Sequence, residues 1–274
     1  MAVKMINEFY GISGNPFHPT PHPRFLFLTS SHRETLASMI YGIQERKGFF
    51  SIIGAVGTGK TTLIRHLLST LDPKIKTVFI PQTFLTFEEL LEEILSKLEL
   101  PLGNKSKFFL IHQLNNYLIQ RLSRNATLVL IIDGAHNLSK EALEDLRLLA
   151  NLETERFKPL QIVLVGQPEL EEKLNSEDLR QFKQRIGIRR KILPLTGEES
   201  RRYIAHRLNK VGSTPQTIFT PKAVSLICWY AGGIPRVINT LCERSFLIGY
   251  AKARKPIDEK IVQEVLEEKG ILLG

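Results

Sequence analysis

"FFSIIGAVGTGKTTLIRHLL" (49–68) carries the fold. The apolar run 49–53 reads as a buried strand, and Lys60 to Leu71 as a helix, with a glycine-rich turn between them. Gly54, Gly59, Lys60 and Thr61 stand in the G-x-x-x-x-G-K-T spacing, with Ala55, Val56, Gly57 and Thr58 inside it and Thr62 after it. Such a turn wraps phosphates with backbone N–H groups, and the helix start behind it adds a positive dipole end. Lys60 is then placed to reach β- and γ-phosphates, and Thr61 to ligate magnesium. The other reading, an incidental glycine-rich turn, lacks the strand before and the helix after.

Outward from this stretch, strand and helix signals alternate. Strands are expected at 77–80, 127–132, 160–165 and near 188–195, with helices around 87–98, 106–123 and 140–153. Ser31 with Glu34, and Thr86 with Glu89, have the spacing of capping boxes. Short apolar strands between helices predict an α/β fold, a central parallel sheet covered on both faces. After Leu195 the strand signals stop. Thr196 with Glu199 caps a helix ending near Val211, Thr220 and Pro221 open another, and two more follow around 235–253 and 258–268. The expected organisation is an α/β nucleotide-binding domain over 1–195 and a small all-α lid over 196–274.

The 274 residues suffice for a large domain or two modest ones, and 43% hydrophobic with 24% charged is ordinary globular composition. No apolar run approaches the ~18 residues of a membrane span, and the N-terminus has no signal-peptide core, so a cytoplasmic location is expected. Cys228 and Cys242 read as buried free thiols. The formal charge of +9 suits a phosphate-rich or acidic partner without identifying one.

A phosphate loop of this kind needs an acid for the metal at the end of a neighbouring strand. "LVLIIDGAHNL" (128–138) supplies Asp133 after an apolar run. His18 and His22 lack further ligands at metal spacing. The basic stretch "KQRIGIRRK" (183–191) could meet nucleic acid, yet it lacks interleaved aromatics and any DNA-reading motif.

The set of features resembles the AAA+ ATPases. More narrowly it is similar to the general secretion pathway protein A family, which includes pilus-biogenesis and exopolysaccharide-locus relatives. The stretches that carry this are "FYGISGNPFHPTPHPRFLFL", "GAVGTGKTTLIRHLL", "LRLLANLETERFKPLQIVLVGQPEL", "LRQFKQRI" and "AGGIPRVIN". The resemblance implies Mg-ATP as cofactor and Gln167 as the sensor of the γ-phosphate. It implies Arg185 as a finger reaching a neighbouring subunit's nucleotide, and Arg236 as the lid's second sensor. Each has a plainer alternative: a strand-end turn residue for Gln167, a solvated basic face for Arg185, a surface arginine for Arg236.

One departure stands out. The family usually has Asp-Glu-Ala-Gln or Asp-Glu-Ala-His where this chain has Asp133, Gly134, Ala135 and His136. The glutamate base is missing, so weak turnover with intact binding is expected. The resemblance implies a homo-oligomer, a ring being one form open to it, working with an inner-membrane or other envelope-machine partner in secretion or pilus assembly. The rivals are a DNA-associated regulator of transposition or replication type, which the N-terminal pattern disfavours, and a nucleotide-dependent scaffold that never turns over.

Overall fold

The computed structural model describes residues 2–18, 23–81, 84–103, 106–122, 126–150 and 158–268. In chain order the elements begin α1 (Ala2–Tyr10), α2 (Ser30–Gln44), β1 (Phe49–Gly54), α3 (Lys60–Thr70), β2 (Lys76–Ile80), α4 (Phe87–Lys97) and α5 (Lys107–Leu122). There follow β3 (Leu128–Asp133), α6 (Lys140–Leu149), β4 (Leu160–Gly166), α7 (Pro168–Leu174), α8 (Arg180–Arg185) and β5 (Ile186–Ile192). The last five are α9 (Gly197–Asn209), α10 (Pro215–Ile218), α11 (Pro221–Ala231), α12 (Pro235–Ala251) and α13 (Glu259–Glu268). Two compact units result: an α/β unit of 30–55 and 63–192, and a helical unit of residues up to Thr29, Val56–Thr62 and residues from Leu193 onward.

In the α/β unit the five strands pair in parallel in the order β2-β3-β4-β1-β5. Parallel strands covered on both faces must be apolar throughout, and β1 and β4 are buried at every position. Phe49, Leu130, Ile162 and Leu164 pack with Leu90, Leu91 and Ile94 of α4, Leu143 and Leu146 of α6, and Phe182 of α8. The two edge strands are less buried: β2 is only partly covered, and on β5 Arg189, Arg190 and Lys191 are exposed, which blocks further strand pairing there. Arg190 donates to the Ser38 hydroxyl at 2.9 Å, and Lys191 pairs with Glu171 at 2.7 Å, so part of the basic stretch is engaged within the unit.

The helical unit takes in the N-terminal arm, which the sequence grouped with the α/β part. The arm's aromatics explain why: Tyr10 stacks on Phe246 of α12 at 4.9 Å, and Phe17, fully buried, meets Phe246 edge-on at 5.6 Å. The "NPF" residues fasten this arm. Asn15 accepts from the Phe17 amide at 2.9 Å and donates to Glu243 at 2.6 Å. The Pro16 carbonyl accepts from Arg207 at 2.8 Å. Arg207 is buried and lies over the rings of Phe25 and Tyr203.

Local sequence rules account for several boundaries. Thr86 with Glu89 and Thr196 with Glu199 form complete capping boxes, and the Thr220 hydroxyl caps α11 with Pro221 in its first turn. Ser31 does not cap. α2 already begins at Ser30, and the Ser31 hydroxyl donates instead to the Lys191 carbonyl at 3.2 Å. The last strand ends at Ile192, earlier than Leu195, which belongs to the core of the helical unit. α6 runs to Leu149, and residues 151–153 of the expected helix lie outside the described residues. Both cysteines are free and buried, and burial pushes both thiols up from their ordinary value. Among the described residues no helix is long and apolar enough to cross a membrane, and no cluster of His, Cys, Asp or Glu has the makings of a metal site; His22 lies outside those residues.

Candidate functional site

β1 ends at Gly54, and its neighbours fix what stands beside that end. Ile53 aligns with Gly166 on β4, and Asp133 of β3 aligns with Val165. Gly54, Asp133 and Gly166 therefore share the carboxyl edge of the sheet, with β4 between β1 and β3. Open parallel sheets bind ligands outside this edge, where successive connections diverge.

The stretch 54–61 closes β1 and opens α3. Gly57 and Gly59 have φ of +80° and +100°, values that cost glycine no steric clash. Lys60 and Thr61 occupy the first turn of the 11-residue α3, where the positive end of the helix dipole favours an anion. Lys60 is 9% exposed and Thr58 1% exposed, while Thr61 is partly open. The residues present thus suit a phosphate group: glycines that bring the backbone close, a helix start, a cation and a hydroxyl.

Past Asp133 the chain turns through Gly134 at φ 84° and ψ 20° into a short 3-10 turn, Ala135–Asn137. The Gly134 amide donates to the Val165 carbonyl at 2.9 Å, carrying the β3–β4 pairing beyond the strand end. Gln167 follows β4 at the N-cap position of α7, but its side chain makes no cap bond there. Its Nε2 lies instead 2.8 Å from Nε2 of His136. Lys173 of α7 holds the same turn from the other side, donating to the carbonyls of His136 (2.7 Å) and Leu138. Burial lowers the Lys173 ammonium from its ordinary value.

Of the remaining expected site residues, Arg185 is exposed at the end of α8 and takes no part in the His136–Gln167 contact. Arg236 sits in the first turn of α12 with its side chain exposed, and its backbone amide donates to the Gly57 carbonyl at 3.3 Å. The sequence missed Lys173. It also missed α7, although Pro168, Glu169 and Glu171 in the first turn, with Leu170 and Leu174 on one face, were a legible helix signal.

Comparison with known proteins places this arrangement. Residues 43–174 match the AAA domain family. The chain is 39% identical over 269 residues to general secretion pathway protein A of Aeromonas hydrophila, covering 97% of this chain and 49% of that protein. It thus spans about half the length of this curated relative. Cdc6p of Pyrobaculum aerophilum superposes with a TM-score of 0.71 at 17% identity, over 98% of this chain and 72% of that one. The ORC2 protein of Aeropyrum pernix, solved as ADPNP-ADP complexes, gives 0.65 at 16%, over 89% of this chain and 68% of that one. These two likenesses are of fold. Residues 43–174 thus carry an AAA domain, and the chain is similar to general secretion pathway protein A along nearly all of its own length.

Proposed function

We propose that the chain binds Mg-ATP at residues 54–62, hydrolyses it slowly, and acts as an energising or switching component of a bacterial envelope machine in secretion or pilus assembly. The observation that carries the nucleotide reading is the loop itself: two left-handed glycines leading a buried Lys60 into the start of α3, behind a strand that ends at the edge shared with Asp133. The solved ORC2 complexes with nucleotide, on a similar fold, support it.

In this reading the backbone of Gly54 to Thr62 cradles the phosphates and Lys60 balances their charge. Thr61 and Asp133 would hold magnesium, which supplies charge neutralisation when bound. Gln167 senses the γ-phosphate from the end of β4, with His136 and Lys173 fixing where it stands. Arg236 serves as a second sensor from a helical lid that follows residue 195, and Arg185 serves in trans between copies of the chain. Gly134 has no side chain to orient or deprotonate water, and a positioned base contributes ~10²–10⁴ in rate. Binding does not depend on that group. The prediction is a protein that holds ATP for many turnover times of an ordinary relative. A single-turnover experiment with labelled ATP tests it: slow conversion on the protein is expected, and brisk conversion would contradict the role given to Gly134.

The envelope role rests on the relationship to general secretion pathway protein A. In this reading the chain works on the cytoplasmic side of the inner membrane, at its periphery. Affinity capture from the native host should retrieve inner-membrane envelope proteins. Retrieval of DNA-bound proteins alone, with steep salt-dependent binding to duplex DNA, would favour the regulator.

A further inference from the structure

The phosphate-loop spacing asks for glycine at 54 and 59 only, yet Gly57 is the residue that touches α12. α12 starts with Pro235, which has no N–H, so the amide of Arg236 is the first the helix must satisfy. Ile234, at the N-cap position, offers no side-chain acceptor. The amides of Val237 and Ile238 both return to the Ile234 carbonyl, at 2.9 and 3.0 Å. That of Arg236 goes out to the Gly57 carbonyl at 3.3 Å. The approach leaves no space for a side chain. A Cβ on Gly57 would stand 2.7 Å from Cβ of Arg236 and 3.0 Å from Cγ2 of Ile234, and the φ of +80° disfavours any other residue.

We propose that the Gly57 carbonyl caps the first turn of α12 from the phosphate loop, so that the loop's backbone conformation reaches α12 as a cap kept or lost. Gly57 is a positioning residue: it acts by seating the first turn of α12, and Arg236 with it. A side-chain sensor reports on the γ-phosphate, whereas this contact reports on the loop. Helix N-termini are sensitive to such a change because most of their first-turn amides have no partner within the helix. The trigger rests on the loop being the nucleotide site proposed above; the cap itself does not.

Hydrogen exchange of the first turn of α12 tests this in the full chain. In nucleotide-free protein, Gly57→Ala should speed exchange there about fivefold, the usual effect of losing one cap. Adding Ile234→Ser to that variant should reverse the loss, because the new hydroxyl can cap the turn from within the chain. Ile234→Ala in place of serine removes the same Cγ2 contact without adding a hydroxyl, so it should leave the loss in place if the cap, and not strain, is what alanine disturbs. Mg-ATP should alter exchange in this turn in the parent protein and not in Ile234→Ser, where the helix no longer depends on the loop. Unchanged exchange in Gly57→Ala, or a loss that Ile234→Ser leaves in place, would overturn the proposal. Calorimetry on Lys60→Ala separates the two ideas. Retained nucleotide binding there would defeat the assignment of the site while leaving the nucleotide-free arm of the cap test standing.

Discussion

Nε2 of Gln167 lies 2.8 Å from Nε2 of His136, joining the end of β4 to the turn that follows Asp133. The β3–β4 pairing already sets Asp133 against Val165, and this contact extends the alignment into side chains. Gln167→Ala and His136→Ala should therefore behave as one unit. Their double-mutant cycle in denaturant unfolding should show a coupling of about 0.5–3 kcal/mol, the range for residues in contact. Strictly additive effects would mean that the contact contributes nothing.

Gly134 is folded as a glycine. At φ 84° a side chain costs about 1–2 kcal/mol, or else the turn must give up the bond from its amide to the Val165 carbonyl. Gly134→Glu is expected to raise steady-state phosphate release well above the parent level. It should also lower unfolding stability by about the strain just given. A variant that gains rate with no loss of stability would show that the turn relaxes freely. A parent that already hydrolyses briskly would show that another group does the base's work.

That backbone state marks the limit of what the sequence makes legible. Strands such as 128–132 and the caps at Thr86, Thr196 and Thr220 follow from local rules, because their partners lie within three residues. The cap expected at Ser31 fails for a non-local reason: β5 offers the Lys191 carbonyl, 160 residues away, as a better use of the hydroxyl. The attachment of the N-terminal arm is non-local too, since Asn15 meets Glu243 and Pro16 meets Arg207. α1 was findable, with Ile6, Phe9 and Tyr10 spaced along one face. α8 was not, because Phe182 is the only apolar residue in its six. At the site, the glycine spacing and Asp133 could be read directly, whereas Lys173 becomes meaningful only once α7 brings its ammonium to the carbonyls of His136 and Leu138.

The arm makes its own prediction. Phe17 is fully buried among Tyr10, Phe219 and Phe246, and emptying such a site costs about 3–5 kcal/mol. Phe17→Ala should lower the denaturation midpoint of the helical unit by a corresponding amount, read by urea unfolding. A midpoint within error of the parent would mean that the arm is not part of that core in solution.

Arg185 is expected to matter between chains. Arg185→Ala should reduce ATP-dependent assembly or turnover and leave nucleotide affinity nearly unchanged, since arginine fingers act in trans on the γ-phosphate. Sedimentation with and without a non-hydrolysable ATP analogue gives the answer. A parent that stays monomeric in both, at high concentration, would count against a shared site.

The most direct measurement is a calorimetric titration of Mg-ATP into the parent and into Lys60→Ala. Lys60 is buried at the start of α3, the one cation that the glycine loop places on the β- and γ-phosphates. The parent should bind one nucleotide per chain, and Lys60→Ala should bind at least about tenfold more weakly, as expected when a charge-assisted contact worth at least ~1.4 kcal/mol is lost. Equal affinity in the two proteins, or no binding by the parent, would contradict the account.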